Sequence, residues 1–380
     1  MSNMKGFVFW VKNANMHTAC VFEEIGKKYH TKIACMGNNF RGFGEINVKY
    51  AEVIYVRDYE SVKSLIDKTI DYIHINGAYD DRQNLGLYKL ALRYLLEKNC
   101  FVIALYQEQY QWWTIKGLFR RIKWFYVMNI GIGRHIKAFG CTGTTGIEAH
   151  QKAFVAKKRL FDFCYIVPEP NSYLLPTPSV DNFLYNRDGS VQFVFIGSLI
   201  ERKGIIPLIK TFNLIDANYT LHIIGEGTLM NDVISLANNN KKIKIWGKLE
   251  PRNVRHVLQQ TDYLLQTSIS EGWGCTPNEA LIYGNKCIIS DAVGSRALVI
   301  ANSQNGFIFK SEDWKSLKMI VENCIKKGPL TNEERDKIIK WAECLYPQSA
   351  ASYLIKMIKY LQGDSKDKPN APWEMQNKTT

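Results

Sequence analysis

The chain reads as an α/β protein of two doubly wound, Rossmann-like domains. Three observations predict this. Short apolar runs alternate with stretches of helical period along both halves of the sequence. Those runs are rich in Val, Ile and aromatics and show little polar alternation, as strands buried on both faces of a parallel sheet do. The rhythm breaks once, at the proline-rich PEPNSYLLPTPSVDNFLYNRDG (168–189), and then restarts. A length of 380 residues also exceeds one ordinary core and suits two.

Taken in order, GFVFWV (6–11), TKIACM (31–36), AEVIYV (51–56), DYIHING (71–77), CFVIALY (100–106) and CYIVPEP (164–170) read as strands. Segments 60–70 and 86–98 carry apolar residues at helical spacing between them, which makes the βα alternation of a doubly wound sheet. After the proline-rich stretch come VQFVFIGSL (191–199), YTLHIIGEG (219–227), KIKIWGKL (242–249), TDYLLQTS (261–268), KCIISD (286–291) and GFIF (306–309). The expected division is a first domain over 1–172, a second over 173–346, and a helix at 347–362 packing back on the first domain. The polar tail 363–380, rich in Pro, Lys, Asp and Asn, is expected to be disordered.

Composition narrows the partners. A formal net charge of +13 favours an anionic one: nucleotide phosphate, nucleic acid or an anionic membrane. Nine cysteines stand singly, without a C-x-x-C pair, so reduced thiols are expected and a zinc site is not. The apolar run near the start is too short for a signal h-region, and no segment is long enough to span a bilayer, so a soluble or peripheral cytoplasmic protein is expected.

Chemistry concentrates in the second half, at strand ends, where open α/β sheets bind ligands. FIGSLIERKG (195–204) ends a strand at Gly197 and opens a helix at Lys203-Gly204, where a lysine beside free backbone N–H groups suits a phosphate. In IIGEGTL (223–229), Gly225 permits a tight turn and close backbone approach. SISEGWGCTPNEALIYG (268–284) holds two carboxylates eight positions apart, Glu271 and Glu279. Thr276 is a plausible N-cap and Pro277 a first helical residue, so Glu279 reads either as the acid of a capping box or as a ligand-binding carboxylate. Glu271, in the loop before the helix, has no such local duty.

These pieces together resemble the nucleotide-sugar-binding domain of GT-B glycosyltransferases, specifically the retaining family 4 group. FIGSL…KG, IIGEG, IWGKL, SISEGWGCTPNEAL, SDAVG and NGFIF follow in order over about 191–310, and Glu271 and Glu279 fill the family's E-x7-E signature. The resemblance implies two Rossmann-like domains facing a central cleft, with Glu271 and Lys203 catalytic. Lys203 would contact the donor diphosphate and Glu279 the ribose hydroxyls. The amides of Cys275 and Thr276 would hold the distal phosphate, with Gly272 and Gly274 allowing close approach. Lys248 and Leu249 would lie near the base, and Glu271 near the donor sugar. Ser198 stands where the family commonly has arginine, and Arg202 is a candidate to supply that charge; Ala297 and Gln107 also depart from the usual residues. No Asp-x-Asp clamp is present in a fitting setting, so transfer without metal or other cofactor is expected; retention at the anomeric carbon is what the resemblance implies.

One stretch lies outside this frame. In QWWTIKGLFRRIKWFY (111–126), Trp112, Ile115, Phe119, Ile122 and Tyr126 share one helical face, and Lys116, Arg120, Arg121 and Lys123 lie on the other side. The stripe reads either as core or as a membrane-interface surface. Trp113 and Trp124 among the basic residues favour the membrane. From 111 to 159 ten bases stand against one acid, Glu148, and no nucleic-acid-binding motif is present. The expectation is a hexosyltransferase-type enzyme. It would use a nucleotide-diphosphate sugar to extend a lipid-linked surface glycan at the inner face of the membrane. The alternatives are a small-molecule-directed transferase or a silent, membrane-associated scaffold of the same fold.

Overall fold

The structure, a computed structural model, describes residues 5–12, 16–36, 48–77, 86–108, 114–170, 189–299 and 304–376. Trp112, Trp113, most of the proline-rich stretch and residues 377–380 lie outside them. The chain forms two compact units, one of Met1–Leu175 with Cys344–Thr379 and one of Pro176–Glu343.

The first unit is a seven-stranded sheet: β1 (Gly6–Val11), β2 (His30–Cys35), β3 (Glu52–Tyr55), β4 (Ile73–Asn76), β5 (Phe101–Gln107), β6 (Ala138–Cys141) and β7 (Leu160–Asp162). The order is β3-β2-β1-β4-β5-β6-β7, and every pairing is parallel. Central β1 is wholly buried, as a strand covered by helices on both faces must be. Phe9 stacks on Phe22 of the helix Met16–Gly26, and on the opposite face Trp10 donates from Nε1 to His74 Nδ1 at 3.1 Å. The second His74 nitrogen meets Thr69 O at 2.9 Å, so this buried polar pair leaves nothing unbonded and burial lowers the imidazole pKa to about 4.

The second unit is a six-stranded sheet: β8 (Val191–Ile196), β9 (Tyr219–Ile224), β10 (Ile243–Gly247), β11 (Tyr263–Gln266), β12 (Lys286–Ser290) and β13 (Gly306–Phe309). Its order, β10-β9-β8-β11-β12-β13, is again wholly parallel. Both sheets thus run outward from the first strand of their unit and reverse beside it. The α/β, doubly wound class expected from the strand rhythm is the one observed.

Three expectations need correction. CYIVPEP is not a strand: residues 163–169 are irregular, with Phe163, Cys164, Ile166 and Val167 inaccessible and Tyr165 and Glu169 partly exposed, so the apolar character of the four reports burial alone. The strand is the preceding β7, and β6 (AFGC) was not anticipated. The tail is ordered through its described part. Lys368 donates from Nζ to Leu160 O at 2.6 Å and to Lys157 O at 2.9 Å. Trp373 is buried edge-on to Tyr353 and Phe163, an anchor that the polar composition around it conceals. Third, Trp124 does not sit among exposed basic residues; it packs edge-on against His150, on the domain side of its helix. The helix Pro347–Gln362 packs against Met16–Gly26 within the first unit. Among the described residues no helix is long and apolar enough to cross a membrane.

Candidate active site

In the second sheet β8 and β11 are neighbours, but their chains leave in opposite directions, toward β9 and toward β12. Such a switch point opens a crevice at the carboxyl ends of the two strands. The loops leaving them carry Lys203 and Glu271. After β8 the chain makes a short turn at Glu201–Lys203 and passes through Gly204 into the helix Ile205–Asn213. Gly204 has a φ of 68°, and a Cβ there would stand 2.5 Å from Thr267 O, so only glycine lets this loop lie on the end of β11. Thr267 Oγ1 donates to Lys203 O at 3.0 Å and Ile269 N to Arg202 O at 2.8 Å, which ties the two loops together.

That clamp aims both cations at one acid. Lys203 Nζ pairs with Glu271 Oε2, and Arg202 Nη1 donates to the same oxygen at 2.9 Å and to Ser270 O at 2.6 Å. Glu271 is held in turn by its own backbone, which bridges to Val293 after β12. Lys203 and Glu271 are largely shielded, with side-chain exposures of 14% and 15%, whereas Arg202 is more open. Gly272 and Gly274 form the turn that follows, and Gly274 backs onto the Glu271 stem. Trp273 between them is buried and donates to Asn278 Oδ1 at 2.9 Å, fixing the turn to the helix Thr276–Ile282.

The expected capping box at this helix does not form. The N-cap is Cys275, with no side-chain cap bond, and Thr276 is already helical. Glu279 therefore sits one position deeper than a capping acid would. Glu279 is partly exposed as a residue, yet burial around its carboxyl dominates and pushes its pKa up to about 7, against the pull of Arg255. Arg255 comes from the helix Pro251–Gln260 and is itself buried, with its pKa lowered by that burial and supported by the charges of Tyr283 and Glu279. Arg255 was not anticipated from the sequence. Its signal was an arginine three positions before Leu258, on the face that turns inward.

A pH dependence follows. The folded value of Glu279, about 7, lies above its ordinary 4.5, so the folded protein holds the extra proton. Its stabilising contribution is complete below about 4.5 and is lost as pH rises to about 7. The denaturant midpoint of the parent should therefore fall relative to that of Glu279→Gln as pH rises through this window; a difference that does not change with pH contradicts this assignment.

The remaining residues line adjacent strand ends. Gly225 has a φ of 142°, and a Cβ on it would stand 1.9 Å from Gly197 O, so the loops after β8 and β9 touch backbone to backbone. Ser198 is exposed beside this contact and Leu199 N donates to Glu226 O at 2.9 Å. Lys248 is exposed and pairs with Glu226 at 3.4 Å rather than with the Glu271 cluster, and Leu249 is partly exposed next to it. Lys116, Arg120, Arg121 and Lys123 belong to the other unit. There, Gln107 is buried and donates to Leu105 O at 2.8 Å and Gly77 O at 3.2 Å, a bracing role at the end of β5.

Known proteins resemble this chain in sequence and in fold. The family described as glycosyl transferases group 1 matches residues 181–343, which contain the whole Lys203, Arg202, Glu271 and Glu279 constellation. An uncharacterised glycosyltransferase of Methanocaldococcus jannaschii is 26% identical over 171 residues, 43% of this chain and 48% of that protein. The lipopolysaccharide 1,6-galactosyltransferase of Escherichia coli is 25% identical over 134 residues, 33% of this chain and 36% of that one. The chain thus spans less than half the length of either curated relative. By fold, the Anabaena protein HepE, solved in complex with UDP, superposes with a TM-score of 0.64 at 13% identity, over 95% of this chain and 98% of that one. The chain therefore has the GT-B fold, and residues 181–343 of its second unit are similar to the glycosyl transferases group 1 family.

Proposed function

We propose that this protein is a retaining glycosyltransferase that moves a sugar from a nucleotide-diphosphate sugar to a hydroxyl of a lipid-linked surface glycan. The observation that carries the reading is the convergence of Lys203 and Arg202 on Glu271 at the switch point of the second sheet. When the bond between the anomeric carbon and the distal phosphate breaks, negative charge grows on the diphosphate. Cations already held in place stabilise it without reorganisation. On this reading Lys203 and Arg202 meet the diphosphate, and the amides of Cys275 and Thr276 meet its distal end. Glu279 accepts from the ribose hydroxyls, and Glu271 lies against the sugar while the acceptor oxygen closes on the anomeric carbon. The charge is met by side chains, so the reading calls for no metal. The surface-glycan acceptor is supported by the lipopolysaccharide galactosyltransferase relative, and a uridine donor by the UDP complex of HepE.

Thermal-shift titration with UDP, GDP and ADP, each in EDTA, tests the donor half. UDP at a hundredfold excess over its Kd is expected to raise the melting temperature by about 5 °C, with the other two weaker. No stabilisation by any of the three nucleotides, with or without added divalent ions, removes the reading.

A further inference from the structure

We propose that the helix Ile115–Phe125, with the turn that follows to Ile130, is a surface that docks on an anionic lipid bilayer. An ordinary amphipathic helix turns its apolar stripe inward. Here the stripe faces outward. Ile115, Phe119, Ile122 and Tyr126 are exposed at 81%, 70%, 49% and 57%, and Leu118 at the edge of the stripe is also exposed. The side that meets the domain is the narrow opposite one: Gly117 is the helix's one buried residue, and Trp124 packs on His150. Phe154, exposed and edge-on to Phe125, extends the apolar surface beyond the helix. No domain-packing need explains this much outward hydrocarbon on one helix.

Charge identifies the occupant. Lys116, Arg120 and Lys123 are exposed along one flank of the stripe, and from 114 to 159 ten bases stand against one acid. A nucleic acid would answer the charge but not the hydrocarbon. A second copy of this chain would answer the hydrocarbon, but it would set one basic rim against another in a protein of net charge +13. An anionic bilayer answers both: the apolar side chains enter the boundary between headgroups and acyl chains while the bases stay among the headgroups. The docking stands on this surface alone. Joined to the proposed function, it brings the enzyme to an acceptor carried in lipid.

The test uses the full chain and co-sedimentation with phosphatidylcholine vesicles, plain or containing about one-third phosphatidylglycerol. The parent is expected to bind the anionic vesicles at least about tenfold more tightly than the plain ones. Replacing Ile115, Phe119 and Ile122 together by serine should weaken that binding at least about tenfold. Lys116→Glu/Arg120→Glu/Lys123→Glu should abolish the preference for anionic lipid. Since these residues are exposed, both variants should melt and respond to UDP as the parent does. Equal binding to both vesicles, or a serine variant that binds as well as the parent, overturns the proposal. So does a parent dimer that the serine variant converts to monomer with vesicle binding unchanged, because a second copy then covers the face. Vesicle binding without nucleotide binding supports the docking and removes the donor reading instead.

Discussion

On the proposed function, replacing Lys203 by alanine is expected to lower the rate of sugar transfer by about 10²–10³-fold at saturating donor, the usual cost of removing one preorganised charge-stabilising donor. The residue's position argues for the size. Its ammonium is largely shielded, is aimed by two backbone contacts to the β11 loop, and already faces an anionic oxygen. Charge on the leaving diphosphate is greater in the transition state than in the bound donor, so the loss should fall on kcat more than on nucleotide affinity. Arg202 remains on Glu271 in the variant, so the fold of the loop should survive. Lys203→Arg should recover little, because a planar fork does not reproduce a compact point charge. The measurement is nucleotide diphosphate released per enzyme with acceptor present. A kcat within about threefold of the parent would falsify the role assigned to Lys203.

The largest loss of stability is expected from Asp262→Ala, about 3–5 kcal/mol by denaturant unfolding. Asp262 is fully buried at the head of β11 and satisfies three segments at once. It accepts from Gln192 N at 2.9 Å, from Leu330 N at 3.2 Å, and pairs with Arg335 Nη2 at 2.5 Å. Arg335 lies on the helix Asn332–Ala342 and also donates to Thr261 O at 2.8 Å. Removing the carboxylate strands a largely shielded guanidinium and two buried amides, and their desolvation is what destabilises. The partly exposed Lys318–Glu322 pair shares the same ion types, but solvent screens it, so Glu322→Ala should cost under about 1 kcal/mol. A loss for Asp262→Ala as small as for Glu322→Ala would show that the buried cluster is not what ties the sheet to its last helices.

Much of this architecture was readable in advance, and the failures have physical causes. The strands of the second sheet were legible because runs such as VQFVFI and YTLHII are buried on both faces and bounded by glycine turns. AFGC (138–141) escaped because four residues with a central glycine give no period, although Gly140 is where Leu105 and Phe163 close on the strand. For 115–125 the amphipathic pattern was plain but its direction was open. Gly117 and Trp124 decide that direction by packing on the domain. At the site, residue types, spacing and the resemblance to GT-B glycosyltransferases marked Lys203, Glu271 and Glu279 as candidates. A clamp between residues 68 positions apart depends on sheet order, which local pattern does not contain. The expected N-cap at Thr276 missed by one residue, and that residue moves Glu279 from the cap to a position where burial raises its pKa and the charge of Arg255 opposes the rise.

The first unit takes its last helices from the far end of the chain: Pro347–Gln362 packs on Met16–Gly26, and Trp373 closes over Phe163. On the ribosome this inverts the customary order in which domains mature. The half that is translated first must wait with an open flank until the segment from Cys344 through Trp373 emerges. The half translated second has its described strands and helices by Glu343, before that segment of the first unit has emerged.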